Sequence, residues 1–166
     1  MEKLIETLKK NDYTGIIDLQ DEYNLEEIIL NSRVSPLWYI PKNDSLFNEA
    51  IFTLLVEYGA DLDNKNNEGQ TILMYCIEKG YRIITDMLIS NDCNLDLQDK
   101  SKMSALHYAV YNLDYELVRL LVTCGIDVTL QDNCGHTATQ YLLNKFNHQH
   151  VENAAEKRKK CLEILS

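Results

Sequence analysis

The stretch DKSKMSALHYAVYNL, residues 99–113, decides how this chain is read. Ser104 and His107 lie one helical turn apart, a spacing that suits a nucleophile and its base or a helix cap and its partner. Working outward separates the two. NNEGQTILMYCIEKG begins at Asn66 and DNCGHTATQYLLNKF at Asp132, each 33 residues from Asp99. On that register Thr71, Ser104 and Thr137 share a column, as do Tyr75, Tyr108 and Tyr141, and Asp61, Asn94 and Asp127. The hydroxyl recurs, also at Ser35, while the residue three places on varies through Trp38, Met74, His107 and Gln140. A hydroxyl that recurs without its histidine reads as a cap for orphan helix amides. A catalytic pair would also need a third orienting group, and the sequence offers none.

SALHYA, Ser104–Ala109, resembles the TPLHxA signature of the ankyrin repeat, whose period is also 33. TILMYC at Thr71 and SPLWYI at Ser35 are looser copies, and TATQYL at Thr137 is looser still. A second marker, Gly-Ala-Asp, stands intact at Gly59-Ala60-Asp61 and altered at Asp92-Cys93-Asn94 and Gly125-Ile126-Asp127. The likeness covers residues 31–145 and extends more weakly to both ends.

This resemblance implies an all-α fold, an ankyrin-repeat solenoid of about five helix-turn-helix units with β-hairpin loops. The chain is then a single domain: an N-terminal capping repeat (1–30), a divergent repeat (31–63), two regular repeats (64–96 and 97–129) and a C-terminal capping repeat with an insertion (130–166). The resemblance also implies that His107 bonds to the capping hydroxyl and nearby backbone, and that the protein recognises another protein without chemistry of its own.

Local physics agrees unit by unit. Ile84, Met87 and Leu88, then Leu117, Leu120 and Leu121, fall at helical spacing and predict one buried stripe per second helix. Gly59 and Gly125 suit the left-handed position that ends such a helix, and Asp92 tolerates it better than most residues. At the start, Leu4, Ile5 and Leu8 followed by Ile16, Ile17 and Leu19 predict two helices. Pro41 predicts a shortened first helix in the unit that begins at Ser35, with a surface bulge near Lys42–Ser45. An insertion is expected between the last two helices, ahead of Leu162, Ile164 and Leu165.

Composition narrows the partners. The 26 acidic residues outnumber the 16 basic ones, for a net charge of −10, which disfavours nucleic acid and anionic membrane surfaces. The basic run Lys157-Arg158-Lys159-Lys160 reads as a solvated helix face rather than a nucleic-acid patch. No apolar stretch approaches the roughly 18 residues of a membrane span, and the N-terminal residues lack a signal-like core. The five cysteines form no CxxC pair, and their odd number points to free thiols and a cytoplasmic or nucleocytoplasmic location. The sequon at Asn43 carries no weight there. Cys134, His136, His148 and His150 match no zinc module, so neither metal nor cofactor is expected. The expected assembly is a monomer or weak homodimer.

Two sets of residues form the candidate partner-binding surface. One is the column Tyr75, Tyr108 and Tyr141, whose rings offer large contact area at low entropic cost or else serve only as packing. The other is the hairpin tips: Asn67, Glu68 and Gln70; Lys100, Ser101, Lys102 and Met103; Asn133, Cys134 and His136. Met103 is the expected exposed apolar contact. The abundance of Asn, Ile, Lys and Tyr is compatible with an AT-rich source, and with the alternative of a pathogen or viral effector that sequesters a host signalling protein.

Overall fold

The computed structural model describes residues 2–40, 48–145 and 153–166. Among them are ten α-helices: α1 (Glu2–Lys9), α2 (Tyr13–Glu22), α3 (Leu25–Leu30), α4 (Glu49–Glu57), α5 (Ile72–Lys79), α6 (Arg82–Ser90), α7 (Ala105–Tyr111), α8 (Tyr115–Thr123), α9 (Ala138–Lys145) and α10 (Ala154–Ile164). A 3₁₀ turn, Pro36–Trp38, precedes α4. First helices pack on first helices, α5 on α7 and α7 on α9, while α10 lies on α8. This is the expected all-helical ankyrin solenoid.

Each helix pair is short and amphipathic, so its apolar stripe is buried only by its neighbours. Ile51, Ile84 and Leu117 share one column of the second helices, Leu55, Leu88 and Leu121 another, and all six are buried. Met87 and Leu120 of the expected stripes are only partly covered. The turns after α4, α6 and α8 use left-handed residues as expected, with φ of 78° at Gly59, 57° at Asp92 and 86° at Gly125.

Three expectations need correction. The N-terminal unit has a third helix, α3, because Asn24 caps it by accepting from the Glu27 amide at 3.2 Å. The hairpins form no ladder among the described residues; each closes on a single bridge, Lys65 with Thr71, Gln98 with Ser104, and Gln131 with Thr137. Ser35 does not cap: its side chain makes no bond to the 3₁₀ turn, and its buried hydroxyl has no hydrogen-bond partner among the described residues. The shortened first helix of that unit is present as the 3₁₀ turn. The bulge near Lys42–Ser45 and the insertion core with His148 and His150 lie outside the described residues.

Candidate interaction surface

Three fingers project between the units, and one device builds them all. Asn66 Oδ1 accepts from the amides of Glu68 and Gln70 at 2.9 and 3.0 Å. Asp99 Oδ1 does the same for Ser101 and Met103, both at 2.8 Å. Asp132 Oδ1 accepts from Cys134 and His136 at 2.8 and 2.9 Å. A side-chain acceptor at the first position therefore fixes the turn. The position before the last of these amides is left-handed each time: Gly69 (φ 80°), Lys102 (φ 57°) and Gly135 (φ 76°). A Cβ on Gly69 would lie 2.9 Å from the Lys100 nitrogen, so glycine also lets the fingers stack.

Neighbouring fingers are then tied together. The Lys100 amide donates to the Glu68 carbonyl at 3.2 Å, and the Asn133 amide to the Ser101 carbonyl at 2.9 Å. Asn133 Nδ2 reaches the Lys100 carbonyl at 3.0 Å and Gln98 Nε2 the Gln131 carbonyl at 2.9 Å. At the finger bases, Asp63 Oδ1 accepts from the Asn94 amide and Asp96 Oδ1 from the Asp127 amide, at 2.9 and 2.7 Å. The Asp63 and Asp96 column also repeats at 33, a signal the sequence reading passed over.

Ser104 and His107 form a capping box. His107 Nδ1 lies 2.9 Å from the Ser104 hydroxyl and accepts from its amide at 3.2 Å, while Nε2 reaches the His136 carbonyl at 3.1 Å. The ring thus joins the cap of one unit to the finger of the next. Both residues are about 1% exposed, so a substrate has no route to the hydroxyl. Burial holds the imidazole below its ordinary pKa, neutral and suited to accepting at Nδ1. Thr137 and Gln140 repeat the reciprocal arrangement at 3.0 and 3.3 Å.

The tyrosine column occupies one line of the first helices, but its rings are used inside the stack. Tyr75 is half-buried, edge-on to Trp38 at 5.6 Å and beside Tyr81 at 6.4 Å. The half-buried Tyr108 hydroxyl donates to Asp99 Oδ2 at 2.7 Å and accepts from Gln70 Nε2 at 2.9 Å. Gln70 Nε2 also donates to Glu78 Oε2 at 2.9 Å, and Gln70 Oε1 accepts from Asn66 at 3.0 Å. Burial, and then the bond to Asp99, push the Tyr108 phenol well above its usual pKa, so it stays protonated.

Two candidates are therefore corrected: Tyr141 at 4% exposure and Gln70 at 5% have little surface to offer a partner. Tyr141 is covered by His107 and Tyr111, at 6.2 and 6.4 Å, and Gln70 is drawn inward by the Tyr108 hydroxyl. Met103 is not the exposed thioether expected, but packs half-buried against the core. Asn67, Glu68, Lys100, Ser101, Lys102, Asn133 and Cys134 are exposed at the tips, and His136 is half-buried. A shallow cleft between the first two fingers is lined by Asn67, Glu68, Lys100 and Ser101 over a floor of Gln70 and Tyr108. Tyr111, 52% exposed on the same side, went unnoticed because its column, Glu78 and Asn144, does not repeat.

The remaining chemistry is quiet. All five thiols are free. Burial pushes Cys93 up to about 12 and Cys161 up to about 11, which leaves both unreactive, and Cys76 is packed in the core as expected. The basic run on α10 is engaged within the fold, with Lys160 3.0 Å from Glu156 and 4.6 Å over the Tyr115 ring, and Arg158 donating to the Leu143 carbonyl at 3.1 Å. No helix among the described residues is long and apolar enough to cross a membrane.

A family model described as ankyrin repeats, in three copies, matches residues 37–132. The chain belongs to the ankyrin-repeat family. It is 23% identical, over 87% of its length, to an ankyrin repeat protein of Acanthamoeba polyphaga mimivirus. It is 27% identical over 63% of its length to an ankyrin repeat protein of fowlpox virus, and 40% identical over 52% to a rice protein named as an E3 ubiquitin-protein ligase. The chain spans between 17% and 24% of the length of these relatives. Ankyrin repeats generally serve as non-catalytic modules that bind other proteins.

Proposed function

We propose that this chain binds a partner protein through its finger tips and the adjoining face of its first helices, and carries out no catalysis. The observation that carries this reading is the division of labour in the fingers: one repeating set of bonds fixes their backbone, while the exposed side chains differ from finger to finger. Rigid elements presenting unlike groups meet a partner at low entropic cost. The surface runs from Asn67 and Glu68 through Lys100, Ser101 and Lys102 to Asn133, with Tyr111 beside it. Tyr75 and Tyr108 contribute only the edges the stack leaves uncovered.

A photoreactive side chain at Lys100 or Tyr111 should crosslink the partner, whereas one at exposed Arg119 on α8 should not; equal yields at all three positions would reject the surface. The finer reading is that the partner is a signalling protein of a host cell, met in the cytoplasm; the viral origin of two relatives favours a host partner. It predicts capture at the tips from host lysate and none from lysate of the source organism.

A further inference from the structure

The last finger differs from the other two in the chemistry of its three turn-forming positions. The first finger places Asn66, Glu68 and Gln70 there, and the second Asp99, Ser101 and Met103. The third places Asp132, Cys134 and His136. The turn that fixes all three fingers brings a carboxylate oxygen, the Cys134 sulfur and a His136 ring nitrogen within 4.8 Å of one another. A second observation concerns the same ring: His136 Nδ1 is sealed from solvent and has no hydrogen-bond partner among the described residues. It lies 3.8 Å from Asp132 Oδ1, too far for a hydrogen bond. A buried polar atom left unpaired calls for a missing water or ion.

We propose that Asp132, Cys134 and His136 form a mononuclear site for a borderline divalent transition cation, Zn²⁺ foremost. Bonds of about 2.0–2.1 Å to nitrogen and oxygen and about 2.3 Å to sulfur, at tetrahedral angles, need donors about 3.3–3.6 Å apart. Side-chain rotations that draw the donors in from their present separations, all within 4.8 Å, close the set. The mixed S, N and O donors favour Zn²⁺ over Ca²⁺ or Mg²⁺, which take all-oxygen sites. The backbone is already folded around the site by the two amide bonds to Asp132, so little ordering is left to the metal. On binding, the Cys134 S–H gives its proton to solvent and the thiolate bonds to the cation; with the Asp132 carboxylate this cancels the 2+ charge. Cys134 is exposed, so the fourth position opens to water or to a donor from another molecule.

Cobalt titration of the full chain tests this. Co²⁺ should bind one equivalent, with a thiolate-to-cobalt charge-transfer band that Zn²⁺ abolishes. Cys134→Ser, His136→Gln and Asp132→Asn should each weaken binding by at least about tenfold. Cys124→Ser, at the other exposed thiol, should not. Asp132→Asn keeps the turn, since Asn66 makes the same two bonds, and His136→Gln restores the residue of the first finger. Circular dichroism of the metal-free variants reports the fold separately. Absence of the thiolate band in the wild-type chain, or unchanged affinity in any of the three variants, overturns the site.

Discussion

The unit from Ser35 to Ala60 and the two units from Thr71 to Ile126 bury the same columns of their second helices with different chemistry around them. The later units share capping hydroxyls and turn acceptors, and the His107 ring adds a tie between cap and finger. The earlier one has a 3₁₀ turn for its first helix, a Ser35 hydroxyl with no partner among the described residues, and Trp38 where the others place Met74 and His107. Trp38 reaches across by its ring edge to Tyr75 and donates weakly to the Asn64 carbonyl at 3.4 Å. Its second helix carries Phe52, fully buried, in the column of Thr85 and Val118. A repeat can do without its capping hydroxyl bond and its histidine tie where apolar bulk takes their place.

The largest effect should follow from removing that bulk: Phe52→Ala is expected to cost about 3–5 kcal/mol in urea unfolding. A loss below about 1 kcal/mol would mean the first unit is not coupled to the rest. Tyr108→Phe, which removes the acceptor of one Gln70 N–H and the donor to Asp99 Oδ2, should cost about 1–3 kcal/mol. A neutral result would return that ring to the role of binding surface.

His107→Gln keeps the cap, as Gln140 does beside Thr137, but breaks the tie to the His136 carbonyl. It should cost about 1 kcal/mol at neutral pH. It also alters the pH profile. Burial depresses the folded-state pKa of His107, so below about pH 6.5 the unfolded chain takes up a proton that the folded chain resists. The stabilising contribution is thus full above that pH and lost as pH falls toward the folded-state value. Subtracting the variant's unfolding curve from the wild type's, from neutral pH down to about pH 5, should isolate this loss; parallel curves would place the ring in solvent.

Thr71→Ala should cost about 1 kcal/mol through its lost bond to the Met74 amide. Ser35→Ala should leave stability unchanged or raise it by up to about 1 kcal/mol. Equal losses at the two sites would erase the distinction between the units. The smallest change is Lys102→Gly: Lys102 holds a left-handed φ of 57° where the other fingers have glycine. The exchange should stabilise by about 0.5 kcal/mol in thermal melts, relief of strain being partly offset by chain entropy.

Much of this was legible in the letters because a repeat is its own comparison. Columns that hold at 33 mark caps, turn acceptors and buried stripes, and Thr71, Ser104, Asp99 and Asp132 serve in those roles. The binding surface was harder to read. Tyr75, Tyr108 and Tyr141 repeat because they serve the stack, whereas the more exposed Tyr111 has no column to announce it. Gln70 and Met103 lie at variable positions, yet one is fixed by a tyrosine of the next unit and the other rests on the core. Variability in a column marks freedom from the repeat's own needs, which is not the same as exposure.

Local sequence therefore determined the helix pairs, their caps and their interval, since these depend on bonds within about four residues and on apolar periodicity. The burial of Gln70 and Tyr141 and the meeting of Asp132, Cys134 and His136 were decided by the folded structure. Each depends on where side chains point once turns close and neighbouring units press together. That is a matter of distance through space, and residue type alone does not specify it.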